Sequence, residues 1–144
     1  MDFHKLNKTF FLLDTFHGLA ERYISDGERA RGFRPHGYEE CYAQVLKTFA
    51  GFRTVIIRGA VPETLPQAKP EKVCFLSIDM NCAAPEIAAA EYFWPKLVPG
   101  AVIVLDDYGW ATHDEQKAGF DRFALQRGVM VLPLPTGQGL IFKP

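Results

Sequence analysis

The sequence predicts an α/β domain with a mostly parallel sheet that ends in an antiparallel hairpin. The first observation is that short apolar runs alternate with helical patterns along the chain, which implies right-handed crossovers. The second is that residues 10–13, 54–57, 73–78 and 101–105 are apolar on both faces, as expected for strands covered by helices on each side. The third lies at the end of the chain. Residues 129–134 and 140–142 are separated only by Pro135-Thr136-Gly137-Gln138-Gly139, too short a link for a parallel crossover.

Each helix has its own signal. The first is expected over about 38–49. The second starts near Pro85, a residue suited to a first helical turn, and ends near Lys96. The third opens with Thr112 and Glu115 at capping-box spacing and stops at Gly128, which suits the position after a helix. Residues 20–37 differ from the rest. They are polar, punctuated by glycine and carry Arg22, Arg29, Arg31 and Arg34, with Ser25 and Glu28 spaced to cap a short helix. A solvated surface connection is the expected reading, and a lid over a site the alternative.

Composition narrows the function. The chain has 144 residues, 48% hydrophobic and 23% charged, which suits one domain over 1–144 with a genuine core. A net charge of -1 argues against a nucleic-acid partner. No apolar run approaches the ~20 residues that span a bilayer, so no membrane partner is expected. Cys41, Cys74 and Cys82 form no CxxC pair, and a reduced, cytoplasmic setting is the simplest expectation. Self-association is left open. Phe93, Trp94 and Trp110 are assigned to the core.

In an open α/β sheet, ligands bind beyond the carboxyl ends of the strands. FFLL is followed by Asp14, VCFLSI by Asp79, and AVIVL by Asp106 and Asp107. One aspartate after a strand often caps a turn, and an adjacent pair can be a solvated turn. Carboxylates gathered on one rim repel one another, and a divalent cation removes the repulsion. Oxygen-only ligands favour Mg²⁺, Ca²⁺ or Mn²⁺ over zinc. No histidine cluster competes: His4, His17, His36 and His113 are scattered. Asp14 can accept hydrogen bonds from ribose hydroxyls.

The succession LLDTFHGL, GAVPETLP, FLSIDMN and GAVIVLDDYG resembles the macrocin O-methyltransferase family. The resemblance runs from about Phe3 to Pro144, and its most specific motifs are DTF-x-GL, IDMN and LDDYG. It implies a Rossmann-like class I methyltransferase sheet, S-adenosylmethionine as methyl donor, Mg²⁺ as cofactor and a small-molecule hydroxyl, usually on a sugar, as acceptor. It implies Asp79, Asp106 and Asp107 as metal ligands, with Asp79 also the general base. It implies Asp14, Thr15, Phe16, Gly18 and Gly59 at the cofactor. Asn81, Tyr108 and His113 flank these positions, with packing or capping the expected role of each.

The chain departs from this pattern at its start. No G-x-G precedes residue 10, so the family's first strand and its glycine-rich loop are expected to be missing. In the family that strand lies between the strands matched by 10–13 and 73–78. These must then pair together, pair with another molecule, or leave a gap. The alternatives to an active methyltransferase are a remnant without a cofactor site and a metal-dependent hydrolase on a doubly wound fold.

Overall fold

The computed structural model describes residues 5–35 and 37–144; Phe3, His4 and His36 lie outside them. Two parallel strands, β1 (Phe10–Asp14) and β2 (Thr54–Arg58), form one sheet. The second sheet has the order β3-β4-β6-β5, from β3 (Val73–Ile78), β4 (Leu97–Leu105), β5 (Leu132–Pro133) and β6 (Gly139–Phe142). β3 and β4 run parallel, while β6 is antiparallel to both β4 and β5. The expected hairpin is therefore present. Its first strand pairs over only Leu132–Pro133, because Pro133 and Pro135 lack the N–H a longer ladder needs.

β1 and β3 do not pair with each other; each lies in its own sheet. The two sheets are held side by side by side chains. Phe11, Leu13 and Ile57 pack in one apolar cluster with Val73, Leu76, Ala89 and Phe93.

The helices are α1 (Asp26–Ala30), α2 (Tyr42–Phe49), α3 (Ala83–Phe93) and α4 (Asp114–Gln126). α3 and α4 cover one face of the larger sheet. Ile78, Ile103, Leu105 and Ile141 meet Ala90 of α3 and Phe120 and Phe123 of α4. Full burial of each large apolar side chain contributes roughly 1.5–3 kcal/mol.

Several expectations need correction. Among the described residues, helices cover one face of the sheet: on the other, the row through Phe75, Val102 and Phe142 leaves Phe75 56% and Phe142 52% exposed. α2 begins at Tyr42, four residues later than the pattern suggested, with Cys41 N–H donating to the Phe16 carbonyl. The Thr112–Glu115 capping box does not form. His113 takes the N-cap position of α4, and Glu115 turns to Ser25 and Arg31 instead. Phe93 is buried as expected, but Trp110 is exposed at the surface, lying over Gly137.

Residues 20–35 are not a solvated connection. Ser25 and Glu28 complete a capping box on α1, and Ile24 and Glu28 are buried. One Glu28 oxygen accepts the Ser25 N–H at 2.8 Å, and the other accepts the Ala83 N–H at 2.8 Å, in the first turn of α3. Ser25 Oγ and Arg31 both bind Glu115 at the start of α4. The segment is thus strapped across the N-terminal ends of both covering helices. No helix among the described residues is long and apolar enough to cross a membrane.

Candidate active site

The carboxyl ends of β1, β2 and β3 open on a single cleft of about 280 Å³. One wall comes from β1 and β2. β1 ends at Asp14, whose Oδ1 accepts the Phe16 N–H at 2.6 Å and closes a tight turn. Thr15 Oγ1 donates to the Gly18 carbonyl at 2.5 Å, which folds the chain back on itself. Phe16 is buried at a φ of 61°, against the Tyr42 ring. Gly59 N–H donates to the Asp14 carbonyl at 2.8 Å. Asp14, Thr15, Phe16, Gly18 and Gly59 therefore all line the cleft, with Tyr23 and Tyr38 contributed by the strap and its exit.

The opposite wall is the end of β3. Asp79, Met80, Asn81 and Cys82 line it. Asn81 has a φ of 55° and its amide donates to Asp79 Oδ1 at 3.3 Å. Beneath this turn lies Glu86, buried in α3, which accepts the Met80 N–H at 3.1 Å. Burial lifts the Glu86 carboxyl to about 8, and the nearby Asp107 and Asp79 add to the effect.

β4 is hydrogen-bonded to β3, with Ile78 opposite Leu105, so Asp79 and Asp106 emerge from neighbouring strand ends on the same rim. Partial desolvation, then the charges of Asp106, Asp107 and Asp14, hold the Asp79 carboxyl above its ordinary range. Asp107 is raised too, by its own burial first.

The carboxylates nevertheless do not converge as placed. Asp106 and Asp107 do not line the cleft, and among the described residues no group of three His, Cys, Asp or Glu side chains stands close enough to hold a metal. The physical reason is that each has another neighbour. Asp106 Oδ1 accepts from Gln138 Nε2 at 2.7 Å, and Asp107 Oδ2 stands 3.5 Å from His113 Nε2. The donor chemistry still fits a hard divalent cation. The groups are all oxygen donors on one rim, the neighbouring carboxylates add to the raised proton affinity of Asp79, and Asp107 Oδ2 is buried without a hydrogen bond.

Of the flanking residues, Asn81 faces the cleft and the others pack. Tyr108 is buried, its hydroxyl donating to Asp121 of α4 at 2.5 Å, and His113 meets the Phe33 ring edge-on. Sequence reasoning missed Glu28, Glu86 and Gln138 as parts of the site. The Ser25–Glu28 spacing was a usable signal for the first; Glu86 reaches back to the Met80 N–H only six residues earlier, and Gln138 meets Asp106 across the fold.

A family model described as a methyltransferase domain matches residues 4–108. The chain belongs to this methyltransferase domain family. Among solved structures, the O-methyltransferase NovP superposes with a TM-score of 0.80 over 97% of this chain and 62% of its own, at 16% identity. The calicheamicin methyltransferase CalS11 gives 0.67 over 92% of this chain and 59% of its own, at 19% identity. An apo structure of CalS11, described as a TDP-rhamnose 3'-O-methyltransferase, gives 0.60 over 92% and 57%, also at 19% identity. At these identities the likeness is one of fold, that of class I O-methyltransferases. The methyltransferase domain described here spans about three-fifths of the length of those proteins. No curated protein matches it in sequence.

Proposed function

We propose that this chain forms the site of an O-methyltransferase that moves a methyl group from S-adenosylmethionine to a hydroxyl of a small molecule, assisted by Mg²⁺ and similar to the macrocin O-methyltransferase family. The observation that supports this reading is the rim itself: Asp79 and Asp106 leave neighbouring strand ends, and Asp79 faces a cleft whose other wall is the Asp14–Gly18 turn. When bound, S-adenosylmethionine supplies an electrophilic methyl group, and Mg²⁺ lowers the pKa of an acceptor hydroxyl.

The chain's own residues do the rest. Asp14 and the turn through Thr15, Phe16 and Gly18 hold the cofactor's ribose, with Gly59 beside them. Asp79, Asp106 and Asp107 hold the cation. Asp79 takes the proton from the acceptor hydroxyl. Asn81 keeps its carboxylate turned to the cleft. A sugar hydroxyl is the favoured acceptor, because CalS11 is described as acting on TDP-rhamnose. The family match favours methyl transfer over metal-dependent hydrolysis.

The test is transfer of a labelled methyl group to sugar hydroxyls by a protein containing this chain. Asp79→Asn and Asp106→Ala should each lower turnover by about 10²-fold or more with the fold intact. Undiminished turnover in EDTA would rule out the metal.

A further inference from the structure

Trp110 stands 57% exposed three residues after Asp107, where a large apolar side chain forgoes the stabilisation of burial. It is nevertheless held in place. Trp110 N–H donates to the Asp107 carbonyl at 3.2 Å, and the Trp110 carbonyl accepts the His113 N–H at 3.0 Å. The turn between β5 and β6 closes on it from the side. Gly109 N–H donates to the Gly137 carbonyl at 2.6 Å, and a Cβ at Gly109 would meet that oxygen at 3.0 Å. A Cβ at Gly137 would meet Nε1, Cδ1 and Cε2 of the indole at 2.8, 3.1 and 3.2 Å. Gly137 also sits at a φ of 90°, so a larger residue is excluded on two grounds. The pyrrole side of the indole thus fills the space a side chain at 137 would occupy, while more than half of the residue stays open to solvent.

The next residue of the same turn, Gln138, donates from Nε2 to Asp106 Oδ1 at 2.7 Å. The exposed ring and the Asp106 carboxylate are therefore parts of one assembly. Singly exposed apolar side chains such as Leu125 need no special account. Trp110 differs because two glycines are required to seat it beside a carboxylate. An aromatic ring already fixed in place loses little freedom when a ligand settles on it. A ring face next to a carboxylate suits a ligand with an apolar C–H face and a hydroxyl edge. A pyranose has both. We propose that Trp110 is the platform on which the acceptor's sugar ring stacks, its hydroxyls turned toward Asp106; this rests on the sugar-acceptor reading above and needs no cation.

Methyl α-L-rhamnopyranoside is the probe, titrated into the full chain while the indole N–H signals of Trp94 and Trp110 are followed by NMR. The Trp110 signal should move, and that of Trp94, set beside Arg127 and Lys143, should stay. Trp110→Ala should weaken binding by about threefold to tenfold, and Trp110→Phe, which keeps an aromatic face, by less than about twofold. Trp110→Leu, with apolar bulk and no ring, serves if the alanine variant does not fold. Equal binding by wild type and the ringless variant overturns the proposal. So does an absence of pyranoside binding, or a Trp110 shift with glycerol as large as with the pyranoside. Methyl transfer is scored separately. If labelled methyl reaches sugar hydroxyls with a KM that Trp110→Ala leaves unchanged, this proposal alone falls. If the pyranoside binds through Trp110 and no sugar is methylated by a protein containing this chain, the methyltransferase reading falls and the sugar platform stands.

Discussion

Glu86 shows how one buried side chain ties stability to pH. Its carboxyl titrates at about 8 in the folded chain, against 4.5 for a free glutamate. Between those values folding takes up a proton. The stability carried by the neutral form is fully present below about 4.5 and is lost as pH rises through about 8. Glu86→Gln keeps an acceptor for the Met80 N–H and cannot ionise. Urea melts should show the variant equal to wild type near pH 5 and more stable near pH 9, by up to roughly 4 kcal/mol. A difference that stays constant between these pH values would show that Glu86 does not titrate in this window. Single residues were also where the sequence was most legible for the site. The aspartates at strand ends were readable because strand direction alone dictates which rim they reach. Gln138 was not, because its partner Asp106 is brought close only by packing, and Glu86 was not, because a helix glutamate usually faces solvent rather than the turn before its own helix.

Among the elements, the strap over residues 20–35 was the least well anticipated. Its polar, arginine-rich composition suggested solvent, yet Glu28 is almost fully buried. Its carboxyl oxygens accept backbone N–H groups at the starts of α1 and α3. Glu28→Ala removes both acceptors and leaves the Ala83 N–H unpaired in the interior. Denaturant unfolding should show a loss of about 1–3 kcal/mol. Equal stability of variant and wild type would mean that water replaces the carboxylate and that the strap is loosely held. The parallel strands were legible from their apolar runs. The short β5 was not, because apolar character at 129–131 pointed to a strand that Pro133 and Pro135 cannot support.

At the scale of the whole molecule, the order of strands and helices followed from their alternation, but the coverage of the sheet did not. Residues apolar on both faces led to an expectation of helices on each side. The structure provides them on one side, and leaves Phe75, Leu132 and Phe142 more than half exposed on the other. An exposed apolar face beside two unpaired strand edges favours association with other chains. Light scattering across a dilution series should therefore show the 144-residue chain self-associating. A Phe75→Ser, Phe142→Ser pair should shift it toward monomer. Calorimetric titration should find S-adenosylmethionine binding weak or absent, since one wall of the cleft is not tied to the other by a backbone ladder. A monomer at every concentration, with micromolar affinity for the cofactor, would contradict both expectations.

That missing ladder has a mechanical consequence. In a continuous sheet, the width of a crevice at its rim is set by interstrand hydrogen bonds, which are short-ranged and directional. Here the separation of the Asp14 and Asp79 walls is set by dispersion contacts among Phe11, Leu13, Val73 and Leu76. Such contacts are soft to sliding and stiff only to compression. The two walls form a joint that yields to shear, and whatever settles between them helps to set the gauge of the crevice it occupies.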